Sequence, residues 1–258
     1  RDIGSEDESQ GPYDDQVAFM RDAGALATSL LDEGYKAMKI WPFDIYAPAS
    51  QGQLISLPDL EKGLEPFRKI REAVGNRIEV MCELHSLFGN HSALRICQAL
   101  EEYQVFWVED PLCKMDDAAS LSDLRRRTRV QICGSETLGG LRPFRDLLAA
   151  DALDVVMLDL AWCGGFTEGR KIAALAQAYN RPLAPHDCTG PVTLMAGLQM
   201  ALHAPTAIYQ EVVRATLATW YRDIVTDLPV IQAGMAQPTT KSGLGTRLQD
   251  RFKQRADL

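Results

Sequence analysis

Val105-Phe106-Trp107-Val108-Glu109-Asp110-Pro111 is an apolar, β-rich run that ends in a carboxylate. The proline behind Asp110 can neither continue a helix nor donate to a strand ladder, so the chain turns there and Glu109 closes a strand. Glu83, 26 residues earlier, closes Ile78-Glu79-Val80-Met81-Cys82 in the same way, and Glu136, 27 residues later, follows Val130-Gln131-Ile132-Cys133-Gly134-Ser135. The phase continues through Asp159 after Val155-Val156-Met157-Leu158, His186 after Leu183-Ala184-Pro185, and Glu211 after Ala207-Ile208-Tyr209-Gln210. Six functional groups thus recur at intervals of 23 to 27 residues. One strand, one helix and two turns fill such an interval, and parallel strands joined by helices bring all their C-terminal ends to one face.

Three carboxylates gathered on that face repel one another unless a cation neutralises them. An all-oxygen set suits a hard ion such as Mg2+, so Glu83, Glu109 and Glu136 are the candidate metal ligands. A lone glutamate after a strand is ordinarily a solvated loop residue; three in phase, followed by an aspartate and a histidine in the same phase, are not explained that way.

The chain has 258 residues, enough for one α/β barrel domain. A net charge of -8 argues against a nucleic-acid partner, which needs a basic face. No apolar run approaches the ~20 residues of a membrane helix, and no basic region followed by an apolar core opens the chain, so no membrane partner and a cytoplasmic location are expected. Six cysteines without a Cys-x-x-Cys pair read as reduced, mostly packing thiols.

In chain order, residues 1–15 read as an acidic loop. A helix capped by Asp14 or Asp15 runs to Gly34, then Tyr35 to Trp41 forms a strand that places Lys39 and Trp41 on one side. A long loop from Trp41 to Asp59, of the kind that forms lids or binding loops, leads into a helix ending at Gly75. Strand and helix then alternate, with strands centred near Met38, Met81, Val108, Ile132, Val156, Leu183 and Ile208. Seven strands predict a barrel whose first strand lies upstream of Arg1. The barrel unit is expected over 16–227, with a tail over 228–258 packing beyond it.

Gly34-Tyr35-Lys36-Ala37-Met38-Lys39, Trp107-Val108-Glu109-Asp110-Pro111, Gly134-Ser135-Glu136-Thr137, Asp159 with Gly164-Gly165, and Pro185-His186 together resemble the mandelate racemase branch of the enolase superfamily. The resemblance implies a modified TIM barrel of the (β/α)7β type, with an N-terminal α+β capping domain that this chain lacks. It implies Mg2+ on Glu83, Glu109 and Glu136, a His186–Asp159 dyad that abstracts the proton α to a carboxylate, Lys39 as cationic stabiliser, Glu211 as a substrate hydrogen-bonding group, and a homo-oligomer. Trp41 stands where the family's second lysine would be and is expected to line the substrate site. His85, two residues past Glu83 and on its side by strand alternation, resembles the general acid of acid-sugar dehydratases. The expected activity is a hydro-lyase acting on an aldonate or aldarate, a small carboxylate substrate; the alternatives are a racemase or epimerase of a 2-hydroxy acid, disfavoured by Trp41, and a non-catalytic barrel homologue. Arg142, Arg170, Arg214 and Lys241 read as solvated helix charges.

Overall fold

A computed structural model describes residues 13–253 of the chain. Six parallel strands, β1 (Ala37–Ile40), β2 (Glu79–Glu83), β3 (Trp107–Glu109), β4 (Gln131–Gly134), β5 (Val155–Leu158) and β6 (Leu183–Pro185), pair in sequence order into one curled sheet. Helices α3 (Leu57–Val74), α4 (Asn90–Leu100), α5 (Ala118–Arg126), α6 (Leu141–Ala149) and α7 (Gly165–Ala178) connect them, and α8 (Pro191–His203) follows β6. The architecture is α/β, a partial TIM barrel.

Strand alternation splits the apolar side chains into two layers. Ile40, Val80, Val108, Ile132, Val156 and Leu183 pack outward with the helices in the main core. Met81, Trp107, Cys133, Val155, Met157 and Ala184 form a smaller inner cluster, with Ala37, Phe106 and Tyr209 packed on it. Two residues beyond Ala37, Met81, Trp107, Met157 and Ala184 lie Lys39, Glu83, Glu109, Asp159 and His186, so period two sends the functional side chains to the same inner side.

Three features differ from the sequence expectation. The first helix is broken: α1 (Asp15–Arg21) ends at Asp22, whose backbone leaves the helical region at φ -145°. The Asp22 carboxylate then accepts the Ala25 N–H at 3.0 Å and caps α2 (Ala23–Asp32). Asp15 is thus helical rather than the end of a loop, while 1–12 lie outside the described residues. The strand expected near Ile208 is reduced to one parallel bridge, Leu183 to Ala207. Leu183 N–H donates to Thr206 and Ile208 N–H to Leu183, but the next donor a parallel ladder requires is Pro185, which has no N–H; Glu211 N–H picks up the Pro185 carbonyl instead, at 3.1 Å.

The tail holds an antiparallel hairpin, β7 (Val230–Gln232) and β8 (Met235–Gln237), after the short helices α9 (Arg214–Ala218) and α10 (Tyr221–Ile224). Its Ala233-Gly234 turn lies against Gly34, where a side chain would collide with the Ala233 backbone. A last short helix, α11 (Asp250–Lys253), closes the described chain. Arg214 is not a solvated charge. It is 7% exposed and bound to Asp15 at 2.7 and 3.0 Å, to Glu33 at 2.8 Å and to Ser29 at 3.1 Å, with Tyr13 beneath its guanidinium.

Candidate active site

Lys39, next to last in β1, extends its ammonium into the carboxylates. Its Nζ lies 3.1 Å from Glu83, 3.1 Å from Glu211, and in contact with Glu109. Burial alone would lower the Lys39 pKa, but Glu109, Glu211 and Glu83 raise it well above the ordinary lysine value, so it is a fixed cation. Burial and the Glu83 charge push the Glu109 carboxyl well above the usual carboxylate range, with Lys39 acting against them. Burial works on Glu83 as well, yet Lys39 and a neighbouring hydrogen bond bring it down to about 2. Trp107 Nε1–H donates to Glu109 Oε2 at 3.0 Å and fixes that carboxylate from the inner layer.

Oxygens of Glu83, Glu109 and Glu136 lie within 4.8 Å of one another. Glu136 Oε2 is buried and has no hydrogen-bond partner; the His186 ring nitrogen 3.1 Å away forms an ion-pair contact whose geometry is not that of a hydrogen bond. An orphaned buried oxygen beside two others, all hard donors, is the arrangement a divalent cation satisfies.

His186, directly after β6, is 4% exposed. Its Nδ1 lies 2.8 Å from Asp159 Oδ2, and the same carboxylate accepts from Thr189 Oγ1 at 3.0 Å and from Ala161 N–H at 2.6 Å. An acceptor so placed puts the ring proton on Nδ1 and leaves Nε2 toward Glu136 and, at 3.8 Å, Glu211. Burial would lower the His186 pKa, but the Glu211 charge and the Asp159 hydrogen bond carry it up to about 12. The Lys39 charge acts against this rise. Trp162 stacks on the ring at 5.7 Å and 29°. Glu211 is held from the other side by the Asp187 N–H at 3.1 Å, and Asp187 in turn accepts from Tyr221 at 3.2 Å.

His85 reaches the site by a different route from the one strand alternation predicts. β2 ends at Glu83, and His85 and Ser86 turn away with φ of 47° and 56°. The His85 N–H donates to Glu83 Oε1 at 2.8 Å, its ring stands edge-on to Trp41 at 5.7 Å, and Nδ1 lies 2.6 Å from Asp44 Oδ2. Trp41 is also edge-on to Phe19 at 5.0 Å. The loop from Trp41 to Asp59 is packed, with two short 3-10 turns and Phe43, Ala47 and Ile55 buried.

Lys39 thus joins Glu83, Glu109 and Glu211, and His186 joins Asp159 and Glu136, at the C-terminal end of the sheet. Asp44, Trp162, Thr189, Asp187 and Tyr221 were not singled out. Asp44 sits inside a loop with no periodicity, and Asp187, next to His186 in sequence, is the one of the five that proximity could have flagged.

A parallel barrel segment that gathers three carboxylates, a fixed lysine and a histidine–aspartate pair at its strand ends is a scaffold for holding a divalent cation beside a proton acceptor. The chain belongs to the enolase C-terminal domain-like family, whose model matches residues 22–252. It is 33% identical over 221 residues to the D-xylonate dehydratase of Haloferax volcanii, covering 83% of this chain and 52% of that protein. To the D-gluconate dehydratase of Thermoproteus tenax it is 26% identical, covering 89% and 45%. The chain spans about half the length of these curated relatives. Among solved structures, an enolase protein from Sargasso Sea environmental shotgun sequencing is similar with a TM-score of 0.88 and 63% identity, over 92% of this chain and 64% of that one. A mandelate racemase subgroup enolase from Agrobacterium tumefaciens gives 0.86 and 50%, over 90% and 63%. Among the described residues no helix is long and apolar enough to cross a membrane.

Proposed function

We propose that this chain is the barrel unit, 16–227, of a Mg2+-dependent hydro-lyase that removes the C2 proton of an aldonate or aldarate and expels the C3 hydroxyl, giving a 2-keto-3-deoxy acid. The observation that carries the reading is the His186–Asp159 pair aimed by Nε2 at the carboxylate cluster that contains Lys39. The two relatives named as sugar-acid dehydratases support the substrate class.

A proton α to a carboxylate is very weakly acidic, so the charge that develops when it leaves must be met by cations already in place. Glu83, Glu109 and Glu136 would hold Mg2+, which supplies Lewis-acid stabilisation of the substrate carboxylate. Lys39, fixed as a cation, stabilises the enediolate. His186 Nε2 takes the C2 proton while Asp159 retains the Nδ1 proton and the ring orientation. Glu211 hydrogen-bonds the substrate, Trp41 walls its chain, and His85 protonates the departing C3 hydroxyl. A cytoplasmic homo-oligomer acting on a small carboxylate, without nucleic-acid or membrane partners, completes the proposal.

One observation favours a second reading. His85 is wired to Asp44 as His186 is to Asp159, and a histidine so placed could serve a racemase or epimerase as the base that Trp41 cannot be. A screen of the intact protein against aldonates and aldarates with Mg2+ separates the two, with semicarbazide trapping 2-keto products and His186→Asn as control. Keto acid from one or two acids, abolished in the control, supports the dehydratase. A C2 epimer without keto acid would move the second reading ahead, and silence with metal bound would sink both.

A further inference from the structure

We propose that Asp44 is the positioning residue of a second histidine–aspartate dyad, fixing His85 so that its Nε2 delivers the proton that leaves with the C3 hydroxyl. This deepens the dehydratase reading and rests on it.

Asp44 is 1% exposed, and among the described residues its carboxylate has one hydrogen bond, Oδ2 accepting from His85 Nδ1–H at 2.6 Å, while Oδ1 has no partner. A carboxylate buried this deeply costs free energy unless it is fully paired, and a single contact to a partly exposed ring does not pair it fully. Its contribution is therefore orientation of His85 rather than stability. As in the first dyad, Nδ1 is held by an aspartate; unlike His186 Nε2, which lies 3.1 Å from Glu136, the His85 Nε2 has no protein partner among the described residues. The two histidines follow β2 and β6, four strands apart in the sheet, with Glu109 at the end of β3 and Glu136 after β4 between them.

Both halves of the second dyad are anchored. Phe43, next to Asp44, is fully buried, stacks on Phe67 at 6.2 Å, and lies where a side chain at Gly63 of α3 would collide with its ring. Farther along the same loop the Gly52 carbonyl accepts the Gly89 N–H at 3.0 Å, tying the loop of Asp44 to the loop of His85. Trp41 covers one edge of the His85 ring. Rotation of the imidazole away from the site would break the Asp44 contact and the edge-on packing together.

In the step assigned to this dyad, the electron pair of the enediolate forms the C2–C3 double bond as the C3–O bond breaks. The proton on His85 Nε2 goes to the departing oxygen, which leaves as water. The ring is left neutral with its remaining proton on Nδ1 facing Asp44, and the enol product takes a solvent proton at C3 as it ketonises.

The test uses the intact protein with Mg2+ and D-gluconate or D-xylonate in deuterated water. Proton NMR reads exchange at C2 of the recovered substrate, and semicarbazide reads the keto product. With elimination impaired but abstraction intact, Asp44→Asn is expected to slow product formation about 100-fold, the lower range for loss of a general acid. Its ratio of C2 exchange to product formation should rise by a similar factor, whereas His186→Asn is silent in both. Unchanged elimination, or an equal loss of exchange and elimination, overturns the proposal. NMR of 15N-labelled histidine supplies a readout that needs no turnover: Asp44→Asn should move the His85 ring nitrogens and leave those of His186 in place. Unmoved His85 signals also overturn it. A wild-type protein inactive on both acids refutes the activity on those acids, and the histidine spectra then decide the role of Asp44 alone.

Discussion

Replacing Lys39 with methionine keeps the length and bulk of the side chain and removes its charge. The ammonium contacts three carboxylates, Glu83 and Glu211 at 3.1 Å and Glu109, and is only 13% exposed. Removing one partner of a buried ionic cluster costs about 3–5 kcal/mol, because the remaining charges are left uncompensated. At about 2–4 °C per kcal/mol for a domain of this size, the metal-free variant should melt on the order of 10 °C lower. On the proposed reading Mg2+ binds the carboxylates that Lys39 contacts, so saturating Mg2+ should recover part of that loss and raise the melting temperature of Lys39→Met more than that of the wild type. Thermal unfolding followed by fluorescence, with Mg2+ and with chelator, measures all four values. Equal Mg2+ increments in both proteins, or a metal-free variant as stable as the wild type, would refute the claim that Lys39 is the cation holding the cluster together. Activity gives a second check: loss of a charge aimed at the enediolate should reduce turnover by about 100-fold or more.

Three further outcomes follow from the packing and charges. Burial and the Glu211 charge raise the Asp187 pKa from 3.8 to about 8, so folding takes up a proton there. Wild-type stability from this group is therefore fully present below the unfolded pKa and lost as pH rises from about 4 to 8. Asp187→Asn cannot ionise and should gain on the wild type by up to about 3 kcal/mol between pH 5.5 and 8; a pH-independent gap in denaturant midpoints would contradict this. Arg214→Met strands Asp15 and Glu33, which are about a third exposed, so the buried-pair cost falls to about 2 kcal/mol in urea unfolding; a change under about 0.5 kcal/mol would show that the cluster does not tie α1 and α2 to α9. Gly63→Ala forces a methyl into the Phe43 ring and should cost about 1–3 kcal/mol while weakening the Asp44–His85 contact, read as a shifted His85 ring signal; an unshifted signal would mean that Phe43 does not set the position of Asp44.

The barrel and the inward placement of four of the candidate site residues were legible because both follow from strand phase. Glu83, Glu109, Asp159 and His186 each lie two residues beyond an inner-layer side chain, and that parity is written in the chain. The weakness of the seventh strand was not read, although its cause, the missing N–H of Pro185, stands in the sequence. The Asp22 break was not, because the first helix's apolar face runs past it and the deciding fact is a cap hydrogen bond of 3.0 Å. His85 was assigned to the site for an incomplete reason: alternation stops at Glu83, and the left-handed turn at His85 and Ser86 takes over. Asp44 could not be read at all, since its place depends on Phe43 meeting a glycine 20 residues away. Arg214 was misjudged because a helix charge is solvated by default, and only tertiary contact brings Asp15 across a gap of 199 residues.

The inner apolar layer also explains why the site can hold so many like charges. Met81, Trp107, Cys133, Val155, Met157 and Ala184 fill the barrel beneath the polar groups, so Glu83 and Glu109 rest on a floor with little water and a low dielectric. On such a floor carboxylates are costly unless cations meet them, and Lys39 meets two of the three glutamates while the Glu136 oxygen remains without a hydrogen bond. The same setting works against a charge on His186, and the Glu211 charge and the Asp159 hydrogen bond are what raise its pKa. On the proposed reading a cation held by the glutamates would satisfy the orphaned Glu136 oxygen, whereas Glu211 and Asp159, outside that set, are the groups that raise the His186 pKa.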